Sequence, residues 1–464
     1  MKDLLNTLKE NGMLWFYMVS LISSDSLWTP EDCDKSIELL KQTMEVLPES
    51  NLTDDEKEKV MEHCQKGLEI CKMDKMRFLR NKNKTNMNTG TQSIGVKAPL
   101  IKEGDDIIEI VVNSVLEATK MSNGKDVWFD LWDGDIVGVT ESVIARSQGN
   151  YVTIDEIADE IKKKYGEDAI IDVIEPIYSR NRFAMILKGI ARGAKKLRIL
   201  MPPVDEVGNV SENHPFTKMN YKDYYAEICA NENCDVEIYT NPNYLEHKQN
   251  INLLFCQLHK TKYEAAADLR IYLNGSISNE YSLMDICNDK CEYGLLGSNK
   301  STEEKLKLFP RKADFTVNGK EIKGSDRIVN EIKDRLQRET GADVSVVIYA
   351  DGCFRDPVGG IWEFADPVSM VSYTDPNVFE STPNEIKLKA YIDENINETD
   401  DLEGYIKNEV KTKKDLMGKM DSQGTTPRLI RDLVASLMDL TSGSGDKATP
   451  IVLVKNYFKN YAND

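Results

Sequence analysis

From Asp3 to about Arg80 apolar residues recur every three or four positions, the spacing that gives a helix one buried stripe. Ile37, Leu39, Leu40, Met44 and Leu47 form one such stripe. Helix starts are signalled at Thr29-Pro30 and at Thr53-Asp54-Asp55, where side-chain oxygens can accept the unpaired first-turn amides. Asn81 to Gln92 breaks the pattern with Asn and Thr and reads as a linker. Beyond it the period changes. Short runs suited to strands stand at Ile94–Ile101, broken at Pro99, and at Ile136–Thr140, Cys234–Thr240, Ala266–Leu273, Val344–Tyr349 and Thr449–Val454. Helical spacing is interleaved with them: Ile107, Ile110, Val111 and Leu116 after the Gly104-Asp105-Asp106 turn, then Thr153 to Lys164, and a helix opened by Ser179-Arg180-Asn181-Arg182. The charged span Ser381 to about Met420 also reads as helical, as does a stripe of Leu429, Leu433, Leu437 and Leu440 after Pro427. The pattern predicts a mixed α/β (α+β) main body behind a helical appendage.

Loops at the strand ends carry the chemistry. Val344 to Tyr349 runs into Asp351, Gly352, Arg355, Asp356, Pro357, Gly359 and Gly360, so a core strand delivers a carboxylate to a sheet edge. Ile136–Thr140 passes through a Glu141-Ser142 turn toward Arg146 and Gly149. Arg180 and Arg182, beside helix N-terminal amides, are the best local anion attractor, with pairing to acidic neighbours as the equal alternative. Gly294, Gly297, Ser298, Asn299, Lys300, Ser301 and Thr302 lack the GxxxxGK[ST] spacing; a phosphate-binding turn and an ordinary loop capping a helix both remain open. The glycines from Gly443 to Gly445 let backbone amides approach a phosphate, with Asp446 and Lys447 adjacent for metal and charge; a connector would explain the glycines alone. Tyr221, Tyr224 and Tyr225 read as core packing rather than a stacking platform.

Composition narrows the partners. The 464 residues exceed what one core usually serves, so two or three domains, or one large domain with insertions, are expected. A net charge of -19 excludes broad binding to a nucleic-acid backbone, so an anionic ligand needs local cations or a metal. Nine scattered cysteines without CxxC pairs read as reduced cytoplasmic thiols, and with four His in the chain Cys287 and Cys291 make a poor structural zinc site. Met13 to Ile22 is apolar but shorter than the roughly 20 residues of a membrane helix, and its acid-containing leader is unlike a secretory signal, so it is expected to be a packed helix face.

APLIKEGDD, DGDIVGVTESVIARSQG, GLLGSN, VVIYADG and GSGDKATPIVLV follow one another in an order that resembles the motifs of the coenzyme F-420-0:L-glutamate ligase (γ-glutamyl ligase) family. The resemblance runs over roughly 94 to 464. It implies residues 91–204 and 283–464 as two parts of a ligase-like core, 205–282 as an insertion and 1–90 as the appendage. It further implies a cytoplasmic, homodimeric enzyme that uses GTP with Mg²⁺ or Mn²⁺ to join L-glutamate to a carboxylate of a small-molecule acceptor. By position, Ala98, Pro99, Leu100, Ile101, Glu141, Ser142, Arg146 and Asn299 match nucleotide contacts. Gly443, Ser444, Gly445, Lys447 and Thr449 match a nucleotide and metal loop, and Asp351 a metal ligand. Asp351 and Arg146 are the expected catalytic groups. Leu296 stands where the family has a metal-binding Asp, and Gly352 where a Thr is usual, so either another carboxylate, with Asp356 and Asp446 as the candidates, takes that place as metal ligand, or this branch has changed or lost the chemistry. Two other readings remain open: a non-catalytic nucleotide or pterin/flavin-binding protein, and a metal-dependent phosphohydrolase.

Overall fold

The computed structural model describes residues 6, 9, 30–83, 90–120, 130–205, 208–214, 218–256, 277–350, 353–355, 362–364, 368–395, 401–414, 429–443, 446–460 and 462. The appendage consists of α1 (Pro30–Val46) and α2 (Asp54–Asn83), which bury Leu40, Leu47, Leu52, Val60, Cys64 and Cys71 between them. Thr53 starts α2 as its spacing suggests: its Oγ1 accepts from the Glu56 amide at 3.3 Å while the Glu56 carboxylate accepts from the Thr53 amide at 2.8 Å. The apolar run Met13 to Ile22 lies outside the described residues, as does Ala266–Leu273.

The first sheet contains β1 (Gln92–Val96) and β2 (Ile136–Thr140). The second begins, after the short β3 (Tyr151–Thr153), with β4 (Ile170–Ile174), β5 (Lys196–Leu200), β6 (Asp235–Tyr239), β7 (Ile251–Phe255) and β8 (Ile277–Ser282). Then follow β9 (Asn299–Thr302), β10 (Lys305–Lys307), and the hairpin β11 (Phe315–Val317) and β12 (Lys320–Ile322). The chain returns to the first sheet with β13 (Ser345–Tyr349), makes the ribbon β14 (Cys353–Arg355) and β15 (Trp362–Phe364), and completes the first sheet with β16 (Met370–Tyr373) and β17 (Ile451–Lys455).

The first sheet has the order β1-β17-β2-β13-β16, with β2 and β13 parallel and the other neighbours antiparallel. Its alternating residues feed two cores, as a sheet covered on both faces requires. Val137, Val139, Val346 and Ile348 meet α3 (Ile107–Lys120) and α8 (Ser325–Thr340); Ile136, Val347, Val452 and Val454 meet α11 (Ile430–Thr441). Between α8 and α11 the chain forms α9 (Leu388–Asn395) and α10 (Leu402–Thr412), inside the span expected to be helical. α11 packs so closely that a Cβ on Gly138 would come within 2.2 Å of Met438 Sδ.

The second sheet has the order β6-β5-β4-β7-β8 with every ladder parallel. α5 (Ile154–Tyr165), α6 (Phe183–Gly193) and α7 (Tyr221–Asn231) share its larger core, into which Tyr221 and Tyr225 are buried. The span 205–282 supplies β6, β7 and β8, which share this sheet with β4 and β5. A third, antiparallel sheet, β3-β10-β9, follows from the loop after the first sheet and the chain leaving the second. No helix among the described residues is long and apolar enough to cross a membrane.

Three local readings are corrected. Glu141-Ser142 is not a turn but the start of α4 (Glu141–Gln148), with Thr140 at its N-cap in extended geometry. Residues 299–307 do not cap a helix; they form the β9–β10 hairpin, because Lys305 to Lys307 finds a partner strand in β3. On α11 the buried face is Ile430, Val434, Ala435 and Met438, and Leu440 is 75% exposed. The close approach at Gly138 selects the face that carries Met438 over the leucine stripe.

Candidate functional site

β2 and β13 run parallel, with Tyr349 opposite Thr140, so their C-terminal ends leave the sheet at one edge. Two further segments are tied there by backbone hydrogen bonds. The Thr140 amide donates to Pro450 O at 3.0 Å, and the Ala98 amide to Ala448 O at 3.1 Å. The loop before β17 is closed by Gly443 and Thr449, whose amides donate to each other's carbonyls at 3.3 and 3.1 Å. Gly443 is needed there, since a Cβ would lie 2.5 Å from Lys447 Cβ. The segments 98–101, 141–146 and 443–449, far apart in the chain, thus meet at the end of β2. Leu100 is 86% exposed and Ile101 buried. Pro99, Asp446 and Lys447 are exposed, and Ala98 and Thr449 half-buried. Asp351, Asp356, Ser444 and Gly445 lie outside the described residues.

Beside this junction lies a polar cavity of about 200 Å³, lined by Ser142, Arg146, Tyr151, Asn299, Lys300, Ser301 and Lys307. Ser142 and Arg146 stand one helical turn apart on α4, which places them on one face. The hairpin supplies Asn299, Lys300 and Ser301 from β9 and Lys307 from β10. Lys307 is 8% exposed, and its Nζ pairs with Glu141 Oε1 at 2.6 Å; Glu141 is 2% exposed. Glu141 therefore sits behind the cavity and fixes a lysine in its wall, whereas the resemblance implies a direct nucleotide contact. Lys300 pairs with Glu303 at the hairpin turn. Arg182 reaches the same place from the second sheet, donating to Asn299 Oδ1 from Nε at 3.4 Å and Nη2 at 3.2 Å.

The first amides of α6 are not open to a ligand. Ser179 Oγ accepts from the Arg182 and Phe183 amides at 2.9 and 3.0 Å, so it is the Arg182 guanidinium that offers positive charge here. Lys300 and Ser301 belong to the stretch that sequence reasoning left open as a phosphate-binding turn, whereas Lys307 and Tyr151 are wall residues it did not single out. The signal for Lys307 was the alternation Lys305, Leu306, Lys307, Leu308, which marks a strand with lysines on one side.

This wall of ammonium, guanidinium, hydroxyl and amide groups suits an anion. It does not suit a divalent cation, which takes carboxylate and carbonyl oxygens. Among the described residues no three His, Cys, Asp or Glu cluster as metal ligands. Leu296 is buried, at 7% exposure, and offers no ligand atom from its side chain. Burial pushes the Cys287 and Cys291 thiols up to about 12.

The profile of the family described as F420-0:Gamma-glutamyl ligase matches residues 95–456, well over half of the chain. A coenzyme F420:L-glutamate ligase from Methanothermobacter thermautotrophicus is 31% identical over 85 residues, which is 17% of this chain and 30% of that protein. The alignment thus spans less than a third of the curated relative.

Proposed function

Because the chain belongs to the F420-0:gamma-glutamyl ligase family, we propose that it is an amide ligase that uses GTP to add L-glutamate to a carboxylate of a small-molecule acceptor through an acyl phosphate. The observation that carries this reading is the cationic cavity of Arg146, Lys300 and Lys307, with Ser142 and Asn299, at the edge where 98–101 and 443–449 meet.

A carboxylate does not condense with an amine at neutral pH until it has a leaving group. In the first step an acceptor carboxylate oxygen attacks the γ-phosphorus of GTP, the bond to the bridging oxygen breaks, and GDP leaves with the electron pair. In the second the glutamate nitrogen forms a bond to the acyl carbon, inorganic phosphate leaves, and the amine proton passes to solvent. Both steps gather negative charge on phosphoryl oxygens, and catalysis is mostly positioning and charge neutralisation. Arg146 and Lys307 supply fixed positive charge, Glu141 holds Lys307 in place, and Ser142 and Asn299 supply hydrogen bonds. Mg²⁺ or Mn²⁺ remains part of the proposal, with Asp351 as the ligand by position and Asp356 or Asp446 beside it; it would neutralise the triphosphate.

Calorimetric titration of GTP with Mn²⁺ tests the assignment. Arg146→Ala should weaken binding roughly tenfold, the scale of one charge-assisted contact, without altering the melting temperature. Unchanged affinity in Arg146→Ala and in Asp351→Ala would refute it. The buried Leu296 favours one alternative, a non-catalytic nucleotide or pterin/flavin-binding protein. Incubation with GTP, Mg²⁺, L-glutamate and a panel of carboxylic acids separates the two, since the binder releases no phosphate with any of them. Phosphate release without glutamate would instead mark a phosphohydrolase.

A further inference from the structure

The polar cavity carries its charges on two separate elements, and an anion can meet both only if the distance between them is fixed. α4 supplies Ser142 and Arg146, and the β9–β10 hairpin supplies Asn299, Lys300, Ser301 and Lys307. At the tip of the hairpin the ties are weak. Glu304, which pairs with Lys188 and Arg192, is exposed, and ion pairs in water contribute little. The ladder of β10 with β3 is only three residue pairs long.

The feet of the hairpin are held differently. Gly149, with a φ of 64°, ends α4 in a left-handed turn, and the Asn150 amide reaches back to Ala145 O at 2.9 Å. The Asn150 side chain is thereby buried, at 3% exposure, between the chain leading toward β9 and the chain leaving β10. Its Nδ2 donates to Phe309 O at 2.6 Å and to Lys290 O at 3.2 Å, and its Oδ1 accepts from Arg311 Nε at 3.3 Å. Its own carbonyl accepts from the Leu308 amide at 3.1 Å. Carbonyls only accept and a guanidinium only donates, so these partners fix which way the amide faces. Gln148 strengthens the same seam: its Oε1 accepts from the Arg311 amide at 2.8 Å, and its Nε2 donates to Arg311 O at 3.0 Å. Since Glu141 pairs with Lys307, α4 is tied to β10 at its first residue by an ion pair and just past its last by Asn150. Ser142 and Arg146 lie between the two ties.

Resting on the ligase reading, we infer that Asn150 is a positioning residue for the cavity: by clamping both feet of the hairpin to the end of α4, it sets Lys307 at the distance from Arg146 at which one phosphate chain meets both. Asn150 does not line the cavity itself, although Tyr151, the next residue, does. A lysine ammonium sits on a flexible stem, so its place depends on where its backbone is held. Fixed charges stabilise a phosphoryl group only when they stand in place beforehand. Removing the Asn150 side chain withdraws a donor from the Phe309 and Lys290 carbonyls at once, and the hairpin gains by moving off α4 to let water reach them.

The test is calorimetric titration of a non-hydrolysable GTP analogue with Mg²⁺ into the full chain, well below its melting temperature, for wild type, Asn150→Ala, Lys307→Ala and the double variant. Asn150→Ala should weaken binding roughly fivefold on its own and roughly twofold or less once Lys307 is gone, because a positioning residue has no effect left without the group it positions. Lys455→Ala is the control for lost stability, and it should lower the melting temperature while leaving the affinity as in wild type. Unchanged affinity in Asn150→Ala overturns the inference, as does an equal fall with and without Lys307, or a matching fall in Lys455→Ala. Should Asn150→Ala not fold, Asn150→Ser, which keeps one short donor, carries the same comparison. A wild type that fails to bind the analogue strikes at the ligase reading itself, and this inference falls with it.

Discussion

At the N-terminal end of β2, Asp135 meets Lys455; at the C-terminal end, where β2 enters α4, Glu141 meets Lys307. Both are lysine–carboxylate pairs with little exposure, yet their surroundings differ. Lys455 is 1% exposed, bonded to the Asp135 carboxylate and the Asp130 carbonyl, with its ammonium 4.4 Å from the centre of the Trp132 ring. Lys307 has the same kind of partner on one side and a 200 Å³ cavity on the other. Protein closed around the first pair makes it a lock between β2 and β17. An ammonium that keeps one face toward a hollow can take a second anion, and the pair becomes a holder for a ligand-binding charge.

The contrast can be broken by removing each lysine. Lys455→Ala leaves Asp135 buried without its cation and should cost about 3–5 kcal/mol in urea unfolding, with GTP affinity unchanged in the folded fraction. A loss below about 1 kcal/mol would mean that the lock contributes no more than a surface pair. Lys307→Ala should cost less, about 1–3 kcal/mol, because water entering the cavity can reach Glu141. Its larger signature is a fall in GTP affinity, and an unchanged affinity would erase the difference between the two ends. Gly138→Ala drives a Cβ into Met438 midway between them and should cost about 1–3 kcal/mol; mass-spectrometric hydrogen exchange should then rise at both ends of β2.

The smallest effect concerns how the hairpin carrying Lys307 is held to α6. Its Glu304 bonds Lys188 and lies 3.1 Å from Arg192, and the Lys188 hydrogen bond, with that of Arg192, holds the Glu304 carboxyl below its ordinary value of 4.5. A carboxyl with a lowered folded value contributes its stabilisation above the unfolded value and loses it as pH falls through the folded one. Hydrogen exchange at the 299–307 amides should therefore quicken relative to β2 as pH falls below that ordinary value, and added salt should shrink the difference because the pair is exposed. A hairpin whose relative protection is flat across that range would count against this tether.

Much of the local structure is legible in the residues themselves. Thr53 and Thr153 each stand three positions before a Glu, and both form the reciprocal cap that the spacing announces. The β-branched runs at 136–140, 345–349 and 451–455 become buried strands because no other local geometry covers them as well. Family motifs also pointed to Ser142, Arg146 and Asn299, which line one cavity. Misreadings arose where a local signal met a distant partner. The Ser-Thr-Glu-Glu run has the letters of a helix cap, but β3 offers Lys305–Lys307 a ladder that a cap cannot match. The leucine stripe of α11 is a valid helical face, overruled by the gap that Gly138 leaves on the sheet.

By itself the chain determined its elements, their caps and the apolar runs that had to be buried, since these depend on neighbours within a turn or a strand. Tertiary structure alone decided that Lys307 would be backed by Glu141 and that Arg182 would meet Asn299. Those contacts join residues more than a hundred positions apart, and their energies depend on burial and distance in the folded state, which no local window of sequence contains.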